Sequence, residues 1–176
     1  MKFISVFVAL ACCTAGLSVS TGQVISDIKA ITAGVTQLTN QLNNFPATGG
    51  TSAALSIHSN TLALIQTINN AASDTATLTP TPVSVNEGTA ILDAIDVFKP
   101  IVVKKLDRLV GLESTFAALP SILPLIKADI SNLNTARNKF ETAVVAKMPS
   151  SLISRASAIK ATLSNAFAYA IRAYAS

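Results

Sequence analysis

The side chains that could carry out chemistry are few and scattered along the chain. His58 is the single histidine, and it lies among Ser56, Ser59 and Thr61. An imidazole beside hydroxyl groups could act as a general base. However, no recognisable acid or nucleophile motif accompanies it, and a lone histidine of this kind is usually a surface or capping residue. We therefore predict no catalysis at His58.

A second pattern matches a catalytic motif by spacing alone. Ser-x-x-Lys occurs from Ser26 to Lys29 and from Ser157 to Lys160. In serine enzymes that transfer acyl groups, this spacing places the lysine beside the nucleophile. The companion motifs of those enzymes are missing here, and both copies fall on predicted helix surfaces. Chance therefore accounts for the pattern.

The acidic residues do not form a recognisable site either. Asp93, Asp96 and Lys99 stand three residues apart, a spacing that suits ordinary side-chain pairs on a helix. With one histidine and nine acidic residues, a transition-metal or calcium site is not expected. The sequence contains no G-x-S-x-G, glycine-rich phosphate loop or H-E-x-x-H. We expect neither an enzyme nor a bound cofactor or metal.

The composition predicts one apolar domain that folds in water. A chain of 176 residues can bury a single sizeable core. Half of its residues are apolar and 12% are charged, a charged share about half of the usual one. After residue 16, no apolar run approaches the roughly 18 residues that a spanning helix needs. We therefore expect no transmembrane segment in the mature chain.

The first 15 residues have the layout of a secretory signal peptide. Lys2 precedes an apolar run that is followed by small residues. We predict cleavage after Ala15, with positions up to Gly22 also open, and a single domain over residues 16–176. A buried first helix is the alternative. Because both cysteines lie in this segment, an extracellular chain without disulfides is expected.

Charge is unevenly distributed between the two halves of the chain. Residues 17–98 contain one basic and five acidic residues, whereas residues 99–176 contain 11 basic and four acidic residues. A basic half can indicate contact with nucleic acid or with an anionic membrane. Here the basic residues are spaced singly, so we predict a solvated face, no nucleic-acid partner, and attraction between the halves.

Apolar residues recur with a helical period along the whole chain. The first stripe has gaps of three and four residues and consists of Val24, Ile28, Ile31, Val35, Leu38, Leu42 and Phe45. The pattern predicts an all-α fold, an antiparallel up-and-down bundle of about five helices. The predicted helices cover about 23–45, 52–72, 84–109, 122–148 and 150–175.

Prolines divide these predicted helices. A Thr/Pro-rich stretch at about 73–85 is either a site of O-glycosylation or a plain connector, and Ser84 and Glu87 form a capping box after it. Pro100 lies inside the third pattern, so that helix is predicted to be kinked or broken near Pro100.

Several stretches together resemble a known family. They are "VISDIKAITAGVTQLTNQL", a Gly-Gly break, "IHSNTLALIQTIN", the Thr/Pro stretch, "ILDAIDVFKPIVVKKLDRLV" and "FETAVVAKMPSSLISRASAIKATLSNAFAYAIRAY". The sequence resembles the fungal hydrophobic surface-binding protein A family, which includes cell-wall galactomannoproteins. The resemblance implies a secreted or wall-associated all-α protein that adsorbs to hydrophobic surfaces. In some members of that family, the bundle encloses fatty acids.

The expected function is therefore non-enzymatic binding of hydrophobic surfaces or lipids through apolar helix faces. The expected partners are hydrophobic surfaces, fatty acids or other lipids, with a secreted esterase as a further candidate. A secreted protein–protein interaction module or effector on the same scaffold is the alternative. The seams of the first, second, fourth and fifth helices are the candidate lining of a lipid site. The candidate lipid contacts are Val35, Leu38, Ile65, Ile68, Phe140, Leu163 and Phe167.

Overall fold

The computed structural model describes residues 19–175, and within them the chain forms six α-helices and no strand. The helices are α1 (Thr21–Asn43), α2 (Thr51–Thr77), α3 (Val85–Val110), α4 (Glu113–Ala117), α5 (Leu123–Lys147) and α6 (Ser150–Ala173). The predicted all-α bundle is confirmed. The predicted signal peptide lies outside the described residues.

The five long helices form a closed ring. Helix α1 contacts α2 and α3, α2 contacts α5, α5 contacts α6, and α6 returns to α3. Consecutive long helices run in opposite directions; for example, Gln41 near the end of α1 donates to Ser56 near the start of α2 at 3.0 Å. Each helix is therefore held by two neighbours, and the centre of the ring faces all five.

Some neighbours in the ring run parallel. Thr21 donates to Glu87 at the starts of α1 and α3, and Arg108 donates to the Leu42 carbonyl near their ends. Helices α3 and α6 are also parallel, because the Tyr174 hydroxyl at the end of α6 donates to the Leu109 carbonyl at 2.7 Å. The ring therefore combines sequential antiparallel pairs with parallel pairs that the connections bring together.

The apolar stripe and the helix caps position α1 and α3. Every predicted stripe residue from Val24 to Phe45 is buried. Burial of each aliphatic or aromatic side chain stabilises the fold by about 1.5–3 kcal/mol. Ser84 and Glu87 form the predicted capping box at the start of α3, which satisfies backbone donors that the first turn leaves free.

The second helix is longer than the sequence predicts. The Thr/Pro stretch was expected to begin at about residue 73, but α2 continues to Thr77. The Ser73 and Thr75 hydroxyls donate to the carbonyls four residues earlier, so these side chains are satisfied within the helix. Thr75 is also buried. The connector is therefore residues 78–84.

Pro100 does not divide the third helix. Helix α3 continues through Pro100 as one element, so the alternative of a broken helix is wrong. Proline lacks a backbone N–H, and this leaves the Asp96 carbonyl without its usual helical partner. Contacts with α1 and α6 support α3 as a whole. The division occurs later, where the short helix α4 separates α3 from α5.

Candidate functional site

A central cavity lies where the five long helices meet. Its volume is about 40 Å³, which is room for about three water molecules. Every long helix contributes to the wall. The lining residues are Ile31, Val35, Leu64, Ile68, Ile95, Phe98, Val102, Lys105, Leu106, Leu133, Arg137, Phe140, Glu141, Leu163 and Phe167.

Five of the seven predicted lipid contacts line this cavity. They are Val35, Ile68, Phe140, Leu163 and Phe167. The other two do not: Leu38 is buried elsewhere in the core, and Ile65 is half-buried. Contact between any of these residues and a lipid stays a prediction.

Helix α3 provides a third of the wall, although the predicted lining omitted it. Ile95, Phe98, Val102 and Leu106 contribute apolar surface, and Lys105 contributes a cation. A signal for this was present in the sequence, because Phe98, Val102 and Leu106 follow one helical stripe. The predicted lining nevertheless included only the first, second, fourth and fifth helices.

Lys105 is a buried cation at one end of the cavity. Its side chain is only 6% exposed, and burial lowers its pKa to about 8, although the charge of Asp129 opposes the shift. A smaller void of about 20 Å³ adjoins the cavity at this point, and Lys105 lines both spaces. The prediction that the basic residues of 99–176 are solvated is therefore wrong for Lys105.

Arg137 and Glu141 form a buried ion pair farther along the wall. Arg137 is 8% exposed, and its guanidinium donates to Glu141 and, at 2.7 Å, to the Asn134 amide oxygen. It also lies 5.4 Å from the centre of the Phe167 ring, close enough for a cation–π interaction. Burial raises the pKa of Glu141 to about 7, and the Arg137 charge opposes this shift. Arg137 is a second exception to the predicted solvated face.

The sequence did signal that these residues lie inside the bundle. Arg137 continues the stripe of Ile130, Leu133 and Phe140 at gaps of three and four residues. Lys105 lies seven residues after Phe98 and four before Leu109, so it also lies on the buried face. Lys105 and Arg137 were predicted to be solvated because they are charged, whereas their positions in the helical register indicated burial.

The structure places an acid beside His58. Nδ1 of His58 lies 2.9 Å from both carboxylate oxygens of Asp129, which is 4% exposed. Burial raises the pKa of Asp129, while the His58 hydrogen bond and the Lys105 charge oppose the shift. Within residues 19–175, no hydroxyl forms a hydrogen bond with His58. The pair therefore has an imidazole and an acid but no positioned nucleophile.

The remaining sequence patterns considered for catalysis form ordinary contacts at the protein surface. Arg155 on α6 donates to Asp93 and Asp96 on α3 at 2.7 and 2.6 Å. This contact pairs the acidic and basic halves of the chain, as predicted. Lys160 donates to Thr142 at 2.8 Å and not to Ser157, so this Ser-x-x-Lys copy does not form a catalytic pair.

Two kinds of feature are absent from residues 19–175. No group of three or more histidine, cysteine, aspartate or glutamate side chains is arranged to hold a metal ion. No helix in this part of the chain is long and apolar enough to cross a membrane.

The family comparison decides what kind of bundle this is. The family model for hydrophobic surface binding protein A matches residues 21–146. The chain belongs to this family. The matched range covers α1 to α5 and ends before α6. No curated protein matches the chain significantly.

Several solved structures share the fold of this chain. Afmp4p in complex with palmitic acid superposes with a TM-score of 0.81 at 21% identity, over 88% of this chain and 99% of that one. Ligand binding domain 1 of the Penicillium marneffei MP1 protein, complexed with arachidonic acids, gives 0.78 at 20% identity, over 86% and 95%. Domain 2 of that protein, also with arachidonic acids, gives 0.74 at 14% identity, over 88% and 93%. Each superposition covers more of this chain than the residues that precede α6, so the shared fold includes α6, which lies outside the family match.

Proposed function

We propose that this protein is a non-enzymatic lipid carrier that takes up a long-chain fatty acid at the centre of the helical ring. The observation that carries the proposal is the apolar cavity to which every long helix contributes. Membership of the hydrophobic surface binding protein A family supports it. The shared fold of proteins solved with palmitic or arachidonic acid supports it further.

Uptake of an acyl chain requires the ring to expand. The present cavity of about 40 Å³ holds a few water molecules and is too small for a long chain. Each methylene that leaves water contributes about 0.8 kcal/mol, so a long chain supplies enough free energy to offset the loss of some contacts between helices. The cavity walls consist mainly of aliphatic and phenylalanine side chains, so separation of the helices breaks few hydrogen bonds.

The wider setting extends this proposal. We propose that the protein is secreted and acts outside the cell, with association to the cell wall as a further step. Hydrophobic surfaces are additional partners. The apolar helix faces that point to the centre of the ring can be exposed to such a surface when the helices separate. A secreted esterase stays a predicted partner, and its recovery in a pulldown from the secreted fraction would support it.

Binding of palmitic acid is the direct test. We expect protein stripped of lipid to bind one or more palmitic acid molecules, detected by native mass spectrometry and titration calorimetry, and to unfold at a higher temperature with the ligand, because binding only to the folded state stabilises it. Absence of binding to both palmitic and arachidonic acid would overturn the proposal. Depletion of the protein by a hydrophobic resin would then leave surface adsorption standing without an enclosed ligand.

Filling the cavity should weaken binding. Val35 is buried and lines the cavity, so Val35→Phe places a ring where the acyl chain would lie. We expect a lower affinity for palmitic acid and a loss of stability of about 1–3 kcal/mol from overpacking. Leu62→Phe is the matched control, because Leu62 is 47% exposed. Equal affinities of Val35→Phe and the control would place the ligand elsewhere.

A further inference from the structure

Lys105 is a buried cation without a hydrogen-bond or ion-pair partner among the described residues. Within residues 19–175, no acceptor lies within hydrogen-bond distance of its ammonium group and no carboxylate lies within 4 Å. Asp129 acts on Lys105 through its charge, but it forms neither a hydrogen bond nor an ion pair with the ammonium group and instead contacts Nδ1 of His58. Lysine is almost never fully buried unless it is paired, because burial of a charge without compensation is unfavourable. The ammonium group therefore lacks a directly bonded anion among residues 19–175.

The other cation of the cavity is already satisfied. Arg137 has Glu141, two contacts with the Asn134 amide oxygen, and the Phe167 ring around its guanidinium. An incoming anion would have to compete with Glu141 at that end. At the Lys105 end it would meet an unpaired ammonium group.

The two polar ends are separated by an apolar wall. Asp129, beside Lys105, and Arg137 lie eight residues apart on α5, or about 12 Å along the helix axis. Leu133 lies between them on α5, and apart from Lys105, Arg137 and Glu141 all lining residues of the cavity are aliphatic or phenylalanine. This arrangement of one unpaired cation and a long apolar wall matches a molecule with one anionic group and one acyl chain.

We propose that the Lys105 ammonium binds the carboxylate of the acyl ligand, so that the cavity prefers a free fatty acid to a neutral lipid of the same chain length. This inference rests on the proposed function, and it adds an anchoring residue and a preference for the charged ligand over a neutral one. Asp129, which lines the adjoining void together with Lys105, is already in contact with His58. The bound carboxylate supplies the counter-charge that Lys105 lacks.

The test compares two ligands and three proteins. Palmitic acid and hexadecanol share a chain length and differ in charge. Each is titrated at pH 7 into lipid-free wild type, Lys105→Met and Lys104→Met, and far-UV circular dichroism checks the fold of each variant. Methionine keeps the long unbranched stem of lysine without its charge. Lys104 is the matched control, because it adjoins Lys105 on α3 and is exposed.

We expect the wild type and Lys104→Met to bind the acid about tenfold more tightly than the alcohol, a difference of about 1.4 kcal/mol, because only the acid carries a charge that pairs with the Lys105 ammonium group. Lys105→Met should lose this preference and keep its affinity for the alcohol. Equal binding of both ligands by the wild type, or a preference retained in Lys105→Met, would overturn the anchor while the proposed function stands. Failure of the wild type to bind either ligand would instead overturn the proposed function, and the anchor with it.

Discussion

We expect the replacement of Lys105 by methionine to stabilise the lipid-free protein at pH 7 by about 3 kcal/mol. The side chain is buried and has no hydrogen-bond acceptor within residues 19–175. Methionine fills the same space without a charge that has to leave water. The gain follows from the pKa of Lys105, which burial lowers from 10.5 to about 8. Urea unfolding, followed by far-UV circular dichroism, measures it.

The gain should disappear at high pH. The pKa of Lys105 is about 8 in the folded state and 10.5 when burial is absent. Below about pH 8 both states are charged, and the folded state carries the full cost of the buried ammonium. From pH 8 to 10.5 the folded state loses its proton first, so the wild type gains stability from this group. Above pH 10.5 both states are neutral, and the variant keeps no advantage.

Lys104→Met separates this effect from the titration of other groups. Lys104 is exposed, so its replacement should change stability by less than about 0.5 kcal/mol. The difference between the two variants then reports burial alone. If Lys105→Met is less stable than the wild type at pH 7, Lys105 has a stabilising partner in the free protein, and the argument for an unpaired cation fails.

The sequence predicted the elements of the fold because burial follows the helical period. The stripe from Val24 to Phe45 identified α1 and its buried face, and Ser84 with Glu87 identified the start of α3. The same period placed Lys105 and Arg137 on buried faces. Residue type outweighed register in the prediction, since charged side chains are rarely buried without partners. The partners of Arg137 and the cavity beside Lys105 become visible only in the folded ring.

The order of helices in the ring could not be predicted from the sequence. His58 and Asp129 are 71 residues apart, and their contact requires α2 to lie parallel to α5. Local patterns fix which face of a helix is apolar, but several arrangements bury the same faces. Contacts such as Thr21 with Glu87 and Tyr174 with Leu109 select one of them. The cavity depends on this arrangement, so its full lining was also beyond the sequence.

Phe116→Ala is the substitution expected to cost the most stability, about 3–5 kcal/mol. Phe116 has no exposed surface and is among the largest fully buried side chains. Its ring centre lies 4.7 Å from that of Phe45, a distance at which aromatic pairs attract. It belongs to α4, which has five residues and is too short to be stable without tertiary contacts. Truncation therefore leaves a cavity and releases the segment that joins α3 to α5.

This loss is a large fraction of the 5–15 kcal/mol by which domains are usually stable, and it corresponds to a fall of about 10 °C in Tm. Differential scanning calorimetry measures the change. Phe116→Leu keeps most of the buried volume and should lose less, whereas Tyr169→Ala removes a half-exposed ring of α6 and should change stability by less than about 0.5 kcal/mol. If Phe116→Ala melts within a degree or two of Tyr169→Ala, α4 is not part of the cooperative core. The link between α3 and α5 would then move independently of the ring, because burial at Phe116 is what ties it down.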